Sequence, residues 1–136
     1  MKKLLWFVLF ILFNVKGMAQ DHVYQLSSHI LDITDGKPVP NVDITLYKLA
    51  ANDNWIKLKT LKTDENGRVK EFLPLEKSNL NHGNFKLKFE TFDYFKTKKV
   101  NTFYPFIEVI FKIDDDKHYH VPITISPFGY STYRGS

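Results

Sequence analysis

Short runs of alternating apolar and polar residues recur along this chain, and they constrain its fold more than any other feature. The clearest is Phe85-Lys-Leu-Lys-Phe89, in which Phe85, Leu87 and Phe89 fall on one side. Because successive side chains of a β-strand point to opposite faces of a sheet, this run predicts a strand with one buried face. Further runs predict strands over residues 24–33, 42–47, 55–61, 68–72, 106–113 and 119–125.

Three segments carry more specific expectations. In the strand over residues 55–61 we expect Ile56 and Leu58 to face the core. The largely apolar run over residues 106–113 predicts a strand that is covered on both faces. Before that run, Asp93 is placed to cap one short helix, which we expect to end at about Thr102.

Turn residues separate these runs and indicate the fold class. Asp35-Gly36-Lys37-Pro38, Asn52-Asp53-Asn54 and Asp64-Glu65-Asn66-Gly67 each break an alternating segment. In the last of them we expect both Asn66 and Gly67 to have positive φ. About seven to eight short strands joined by such turns, with one short helix, predict an all-β fold, a two-sheet antiparallel β-sandwich.

The first nineteen residues differ in composition from the rest. Lys2 and Lys3 precede an apolar run that ends at Phe13, and small residues stand three positions and one position before Gln20. This order predicts a secretory signal peptide over residues 1–19, cleaved after Ala19, and one domain over residues 20–136. The apolar run is about half the length needed to span a bilayer, which disfavours an anchor. We therefore expect an exported protein without stable membrane insertion, periplasmic rather than secreted.

Charge and cysteine content exclude several classes of function. The formal net charge of +4 includes Lys2, Lys3 and Lys16 of the predicted signal peptide, which leaves a net charge of +1 on the remaining chain. A charge so close to zero indicates no nucleic-acid partner. The chain has no cysteine, which excludes thiol catalysis and thiolate metal sites.

Histidines are the residues most suited to chemistry here. His29 lies in the first predicted strand, and His118 and His120 stand two residues apart, so they project to the same face of a strand. Histidine titrates near neutral pH and can take a proton from water. The three together are compatible with zinc, but no acidic or thiolate ligand accompanies the pair, and partly buried, hydrogen-bonded histidines are the favoured interpretation.

Arg68 and the C-terminal residues have two interpretations each. Arg68 follows the Asn66-Gly67 turn and is either a solvated residue at a strand start or a ligand for a planar anion. The chain ends Tyr133-Arg-Gly-Ser136, which is either an exposed tail or part of a binding site.

Three motifs resemble the transthyretin-like family. His29-Ile-Leu-Asp-x-x-x-Gly36-x-Pro38 is similar to its first signature, and the segment over residues 119–131 is similar to its second, with Ile125 where leucine is usual. The terminal Tyr133-Arg-Gly-Ser136 resembles the tail of the enzyme branch, the 5-hydroxyisourate hydrolases. The resemblance extends from about residue 22 to the end of the chain. The predicted signal peptide is a departure, because many relatives are cytosolic or peroxisomal.

The resemblance implies hydrolysis of 5-hydroxyisourate, the product of urate oxidation, to 2-oxo-4-hydroxy-4-carboxy-5-ureidoimidazoline. It implies no metal or cofactor, and a homotetramer with its sites where two dimers meet. The implied catalytic residues are His29, Arg68, His120 and Ser136, and the implied substrate-binding residues are His29, Arg68, Tyr133 and Arg134. Which histidine is the base, and whether Ser136 acts through its hydroxyl or the terminal carboxylate, stay open. The alternatives are a non-catalytic carrier of a small aromatic ligand on the same fold and a structural or interaction module.

Overall fold

The computed structural model describes residues 23–75 and 80–136, so the predicted signal peptide over residues 1–19 lies outside the described residues. Within the described part, the chain forms ten strands and one helix. The strands are β1 (Tyr24–Asp32), β2 (Lys37–Pro38), β3 (Asp43–Leu49), β4 (Trp55–Lys62), β5 (Arg68–Pro74), β6 (Gly83–Phe89), β7 (Ile107–Ile113), β8 (Tyr119–His120), β9 (Ile123–Ser126) and β10 (Gly129–Thr132), and helix α1 (Phe92–Thr97) lies between β6 and β7.

The strands form two sheets. In the first, the order is β10-β9-β1-β2, and β5 and β8 also pair with β1; in the second, the order is β4-β3-β6-β7. The predicted all-β sandwich is confirmed. Most neighbours are antiparallel, but β1 runs parallel to β8 and β9, which alternation alone does not reveal. The predicted strand over residues 119–125 is divided at Val121 and Pro122, because proline has no N–H to donate to a ladder.

Apolar side chains from both sheets meet in one core. Leu26 and Ile30 of β1 and Phe72 of β5 are fully buried in the first sheet. Across from them lie the alternating side chains of the second sheet, with Phe85 and Phe89 each 0% exposed. The alternation over residues 85–89 therefore predicted the buried face correctly.

Two expectations about the second sheet are wrong, and both concern its edge strands. Ile56 and Leu58 do not face the core, since their side chains are 53% and 45% exposed. β4 is the last strand of its sheet, and a bulge between Leu46 and Tyr47 of β3 shifts the pairing with it. β7 is the other edge, and Ile110 on its outer face is 64% exposed. The sheet is covered by a second layer on one face only, so an apolar residue on the outer face stays in contact with water.

The helix is shorter than predicted and begins two residues earlier. α1 spans Phe92–Thr97, with Thr91 rather than Asp93 at the N-cap, and Lys99 follows it with φ 57°. Its Tyr94 hydroxyl donates to the carboxylate of Asp32 at 2.6 Å, which holds the helix to the end of β1. Burial alone would raise the pKa of Asp32, but hydrogen bonds from Tyr94, the Thr34 backbone and Lys98 outweigh it and lower that pKa.

The reversal before β5 has one positive φ angle instead of two. Gly67 has φ 71°, whereas Asn66 is not among the residues with positive φ. The Gly67 carbonyl accepts a hydrogen bond from the Ile30 amide at 2.9 Å. A Cβ added at Gly67 would lie 2.6 Å from the Ile30 carbonyl oxygen. Glycine is therefore required here by space as well as by φ.

A pair of glycine substitutions separates these two requirements. Gly36 also has φ 71°, but a Cβ added there would meet nothing within 4 Å. We expect Gly36→Ala to lower the free energy of unfolding by about 1–2 kcal/mol, the cost of a left-handed conformation. Gly67→Ala adds the steric clash and should cost about 2–4 kcal/mol. Urea unfolding at equal protein concentration measures both, and equal losses would contradict the packing argument.

Candidate active site

Polar side chains of β1 and its neighbours gather on the outer face of the first sheet. Leu26, Ser28 and Ile30 of β1 are buried, so Ser27 and His29 project to the opposite face. In the ladders of β1, His29 is paired with Arg68 of β5, and Ser27 is paired with His120 of β8. Directly paired residues lie on the same face of a sheet. We call Ser27, His29, Arg68, His118 and His120 the histidine cluster.

The turn before β5 fixes where Arg68 begins. One carboxylate oxygen of Asp64 accepts hydrogen bonds from the backbone amides of Asn66 at 2.8 Å and Arg68 at 3.0 Å. The Asp64 amide in turn donates to the Arg68 carbonyl at 2.9 Å. These bonds close the turn and place Arg68 opposite His29, so the guanidinium belongs to the histidine cluster.

A chain of hydrogen bonds links two histidines of the cluster through a serine. The Ser27 Oγ lies 2.9 Å from Nε2 of His118 and 2.8 Å from Nδ1 of His120. The other ring nitrogen of His118, Nδ1, lies 2.9 Å from the Tyr24 carbonyl oxygen. Both imidazole rings are therefore held by β1, the central strand of the sheet.

The surroundings keep the two predicted site histidines neutral. Burial lowers the pKa of His120 to about 4, assisted by the positive charge of Arg68 and by His29 and His118. Burial and then Arg68 also lower the pKa of His29, against the opposing effects of a backbone hydrogen bond to Asn66 and the Asp64 carboxylate. A neutral imidazole has a lone pair available at neutral pH, which a general base requires.

The C-terminal residues are attached to the sheet. The Gly135 amide donates to the His120 carbonyl at 2.8 Å, and Gly135 and His120 form an antiparallel bridge. A Cβ added at Gly135 would lie 2.5 Å from Cδ2 of His120. The Thr132 hydroxyl donates to the Pro122 carbonyl at 2.8 Å. The end of the chain therefore lies directly against the His120 ring, and the absence of a side chain at Gly135 permits that approach.

Tyr133 and Arg134 of the C-terminal segment lie away from the histidine cluster. The Arg134 guanidinium stacks on the Tyr119 ring, 4.2 Å from its centroid. Tyr119 precedes His120 in β8, so its side chain projects to the other face. Tyr133 and Arg134 line a cleft of about 330 Å³ with residues of β7, including Val109 and Phe111. Within one chain, these two side chains are thus separated from the histidine cluster.

The structure thus brings together some of the sequence-predicted residues. His29, Arg68 and His120 share one face, and the exposed Ser136 follows Gly135 beside His120. Ser27 and Gly135 also contact the His120 side chain or backbone, but the sequence predicted no role for either. Ser27 lies two residues before His29 and so shares its face, and that spacing was the one signal available for it.

Residues 23–75 and 80–136 contain no group of three or more His, Cys, Asp or Glu side chains placed to hold a metal ion. In the same part of the chain, no helix is long and apolar enough to cross a membrane. The zinc alternative therefore has no geometric support there.

Comparisons with known proteins agree with the motifs. The family model described as the HIUase/transthyretin family matches residues 26–135. A 5-hydroxyisourate hydrolase of Salmonella dublin is 46% identical over 112 residues, 82% of this chain and 80% of the relative. The solved structure of Klebsiella pneumoniae 5-hydroxyisourate hydrolase has a TM-score of 0.68 and 34% identity, covering 82% of this chain and 98% of that one. Sea bream transthyretin, solved with thyroxine, has a TM-score of 0.73 and 25% identity, covering 82% and 94%.

An NMR titration of the histidine ring protons tests the electrostatics of the site. We expect His120 to titrate with a pKa of about 4. Arg68→Gln should raise that pKa, because it removes a positive charge that disfavours the imidazolium. Lys70→Gln is the matched control, since it removes the same charge from an exposed position of β5. Titration of His120 near its ordinary value of 6.5, unmoved by Arg68→Gln, would contradict the account.

Proposed function

This chain belongs to the HIUase/transthyretin family, and we propose that it hydrolyses 5-hydroxyisourate to 2-oxo-4-hydroxy-4-carboxy-5-ureidoimidazoline in urate degradation. One observation carries the proposal beyond the family name. The site contains two histidines whose pKa values are both lowered, beside the guanidinium of Arg68. A base for water and a cation for an anionic oxygen are what the hydrolysis of a ring amide requires.

In the proposed reaction, water attacks a carbonyl carbon of the six-membered ring. A neutral histidine, His120 in our assignment, takes a proton from the water as its oxygen bonds to that carbon. The ring C–N bond then breaks, and the leaving nitrogen receives the proton that His120 took from the water. The new carboxylic acid loses its own proton to solvent, which leaves a carboxylate on the carbon. The reaction is thus a cyclic amide hydrolysis that consumes only water.

The other residues of the site have supporting roles in this proposal. Arg68 stabilises the developing oxyanion with guanidinium donors, an effect that is strongest where water is excluded. His29 binds the substrate beside Arg68. Ser136 follows Gly135 along the His120 backbone and supplies its hydroxyl to the substrate. Tyr133 and Arg134 bind the substrate or close the site over it.

We also propose a homotetramer whose sites form where two dimers meet. β7 and β10 end their sheets, and a sheet edge offers unpaired backbone groups to a second copy. Exposed apolar side chains accompany them, with Ile110 64% and Tyr133 61% exposed. An assembly would also bring Tyr133 and Arg134 toward the histidine cluster of another copy, although they lie away from their own.

For its location we propose export, most simply to a periplasm, on the basis of residues 1–19.

A decay assay of 5-hydroxyisourate tests the function. The compound is generated from urate with urate oxidase, and its loss is followed without protein, with the protein, and with a variant that lacks Tyr133–Ser136. We expect the protein to accelerate the decay and the truncated variant to lose roughly 100-fold in rate, because the His120 ring loses its neighbour. No acceleration by a folded protein would favour the carrier alternative, which thyroxine binding would then test.

A second pair of variants tests the contact of the tail with His120. Gly135→Ala places a Cβ 2.5 Å from Cδ2 of His120, so the ring or the tail must move. We expect kcat/KM to fall roughly 10- to 100-fold, because small displacements of a catalytic group are costly. Gly129→Ala is the control, since its Cβ would meet only the Ser126 Oγ at 3.6 Å, and it should keep its activity. Equal activities would show that the close approach has no catalytic role.

A further inference from the structure

We infer that Ser27 and His118 are positioning residues, which present His120 to the substrate with its Nε2 unprotonated. The inference rests on the proposed hydrolysis and deepens it, since it assigns the base to one nitrogen of one histidine. It follows from the direction in which each hydrogen bond of the cluster must run.

The direction is set at the Tyr24 end. A backbone carbonyl oxygen can only accept, so the His118 Nδ1, 2.9 Å from the Tyr24 oxygen, must carry a hydrogen. When the His118 ring carries one hydrogen, Nε2 is then an acceptor. It lies 2.9 Å from the Ser27 Oγ, so the serine hydroxyl donates to it.

The hydrogen bond between Ser27 and His120 also has a fixed direction. A serine hydroxyl has one hydrogen, and this one is committed to His118. The Ser27 Oγ, 2.8 Å from the His120 Nδ1, must therefore accept. The hydrogen of the neutral His120 ring resides on Nδ1, and its Nε2 keeps the lone pair. The tautomer of a histidine is fixed by the partner of its other nitrogen, and here that partner is a serine fixed by a second histidine.

The elements that carry these groups suit a positioning role. Tyr24 and Ser27 belong to β1, the strand at the centre of the sheet, and His120 is paired with Ser27 in register. On the other side of the ring, Gly135 approaches the His120 Cδ2. The ring is thus held at Nδ1 and against Cδ2, whereas Nε2, at the far end from the backbone, is the nitrogen that these contacts leave as an acceptor.

Tautomer-sensitive ¹⁵N NMR of histidine-labelled protein tests the inference directly, with the His120 signals identified from a His120→Asn variant. We expect wild-type His120 to carry its hydrogen on Nδ1. Ser27→Ala removes the acceptor, so His120 should shift toward the Nε2–H form, and kcat should fall roughly 10- to 100-fold with little change in KM. His118→Ala leaves the Ser27 hydroxyl able to donate to the His120 Nδ1 and should give the same signature. Ser27→Thr, which keeps the hydroxyl, should restore both readouts.

Ser28→Ala is the matched control. Its hydroxyl donates to the Val121 carbonyl at 2.8 Å, so both variants lose a hydrogen bond of a β1 serine. It should leave the His120 tautomer and kcat unchanged. Wild-type His120 protonated on Nε2, or an unchanged tautomer in Ser27→Ala, would overturn the inference. A wild-type protein with the Nδ1–H tautomer that leaves 5-hydroxyisourate untouched would overturn the proposed function but support the hydrogen-bond assignment.

Discussion

The pairing of β1 with four other strands is the constraint on which this structure depends. β1 hydrogen-bonds to β2, β5, β8 and β9, so one strand sets the register of most of the first sheet. Because side chains alternate along β1, one face of the strand packs in the core and the other carries polar residues of the histidine cluster. Leu26 and Ile30 enter the core, while Ser27 and His29 face outward. Because the core fixes the strand, the outward residues are held with the precision of a packed interior, as an active site requires.

Much of this arrangement was predictable from sequence because it follows from periodicity. The buried face of β6 at Phe85 and Phe89 and the position of the turn at Gly67 both follow from residues that are close together in the sequence. Properties that depend on distant partners were not predictable. Ile56 is exposed because β4 is an edge strand, and the parallel pairing of Ser27 with His120 joins residues 93 positions apart. No local pattern reports such a pairing, so the hydrogen-bonded cluster is visible only in three dimensions.

Several contacts hold residues 132–135 against the first sheet. A terminal segment is usually frayed unless other contacts hold it, and here the Gly135 amide, the Arg134 stack on Tyr119 and the Thr132 hydroxyl all do so. The resemblance to a family tail thus has a physical basis in this chain. The tail approaches the one histidine whose pKa is lowered furthest, to about 4, which makes the last residues neighbours of the proposed base.

In the proposed reaction, the lone pair of the neutral His120 acts as the base. The rate of 5-hydroxyisourate decay at pH 7 with the His120→Asn variant tests it most directly, because asparagine keeps a polar group near Ser27 but has nothing at the position of Nε2. We expect a loss of roughly 100-fold or more, in a protein that unfolds as the wild type does. A folded His120→Asn protein that hydrolyses 5-hydroxyisourate at the wild-type rate would contradict it.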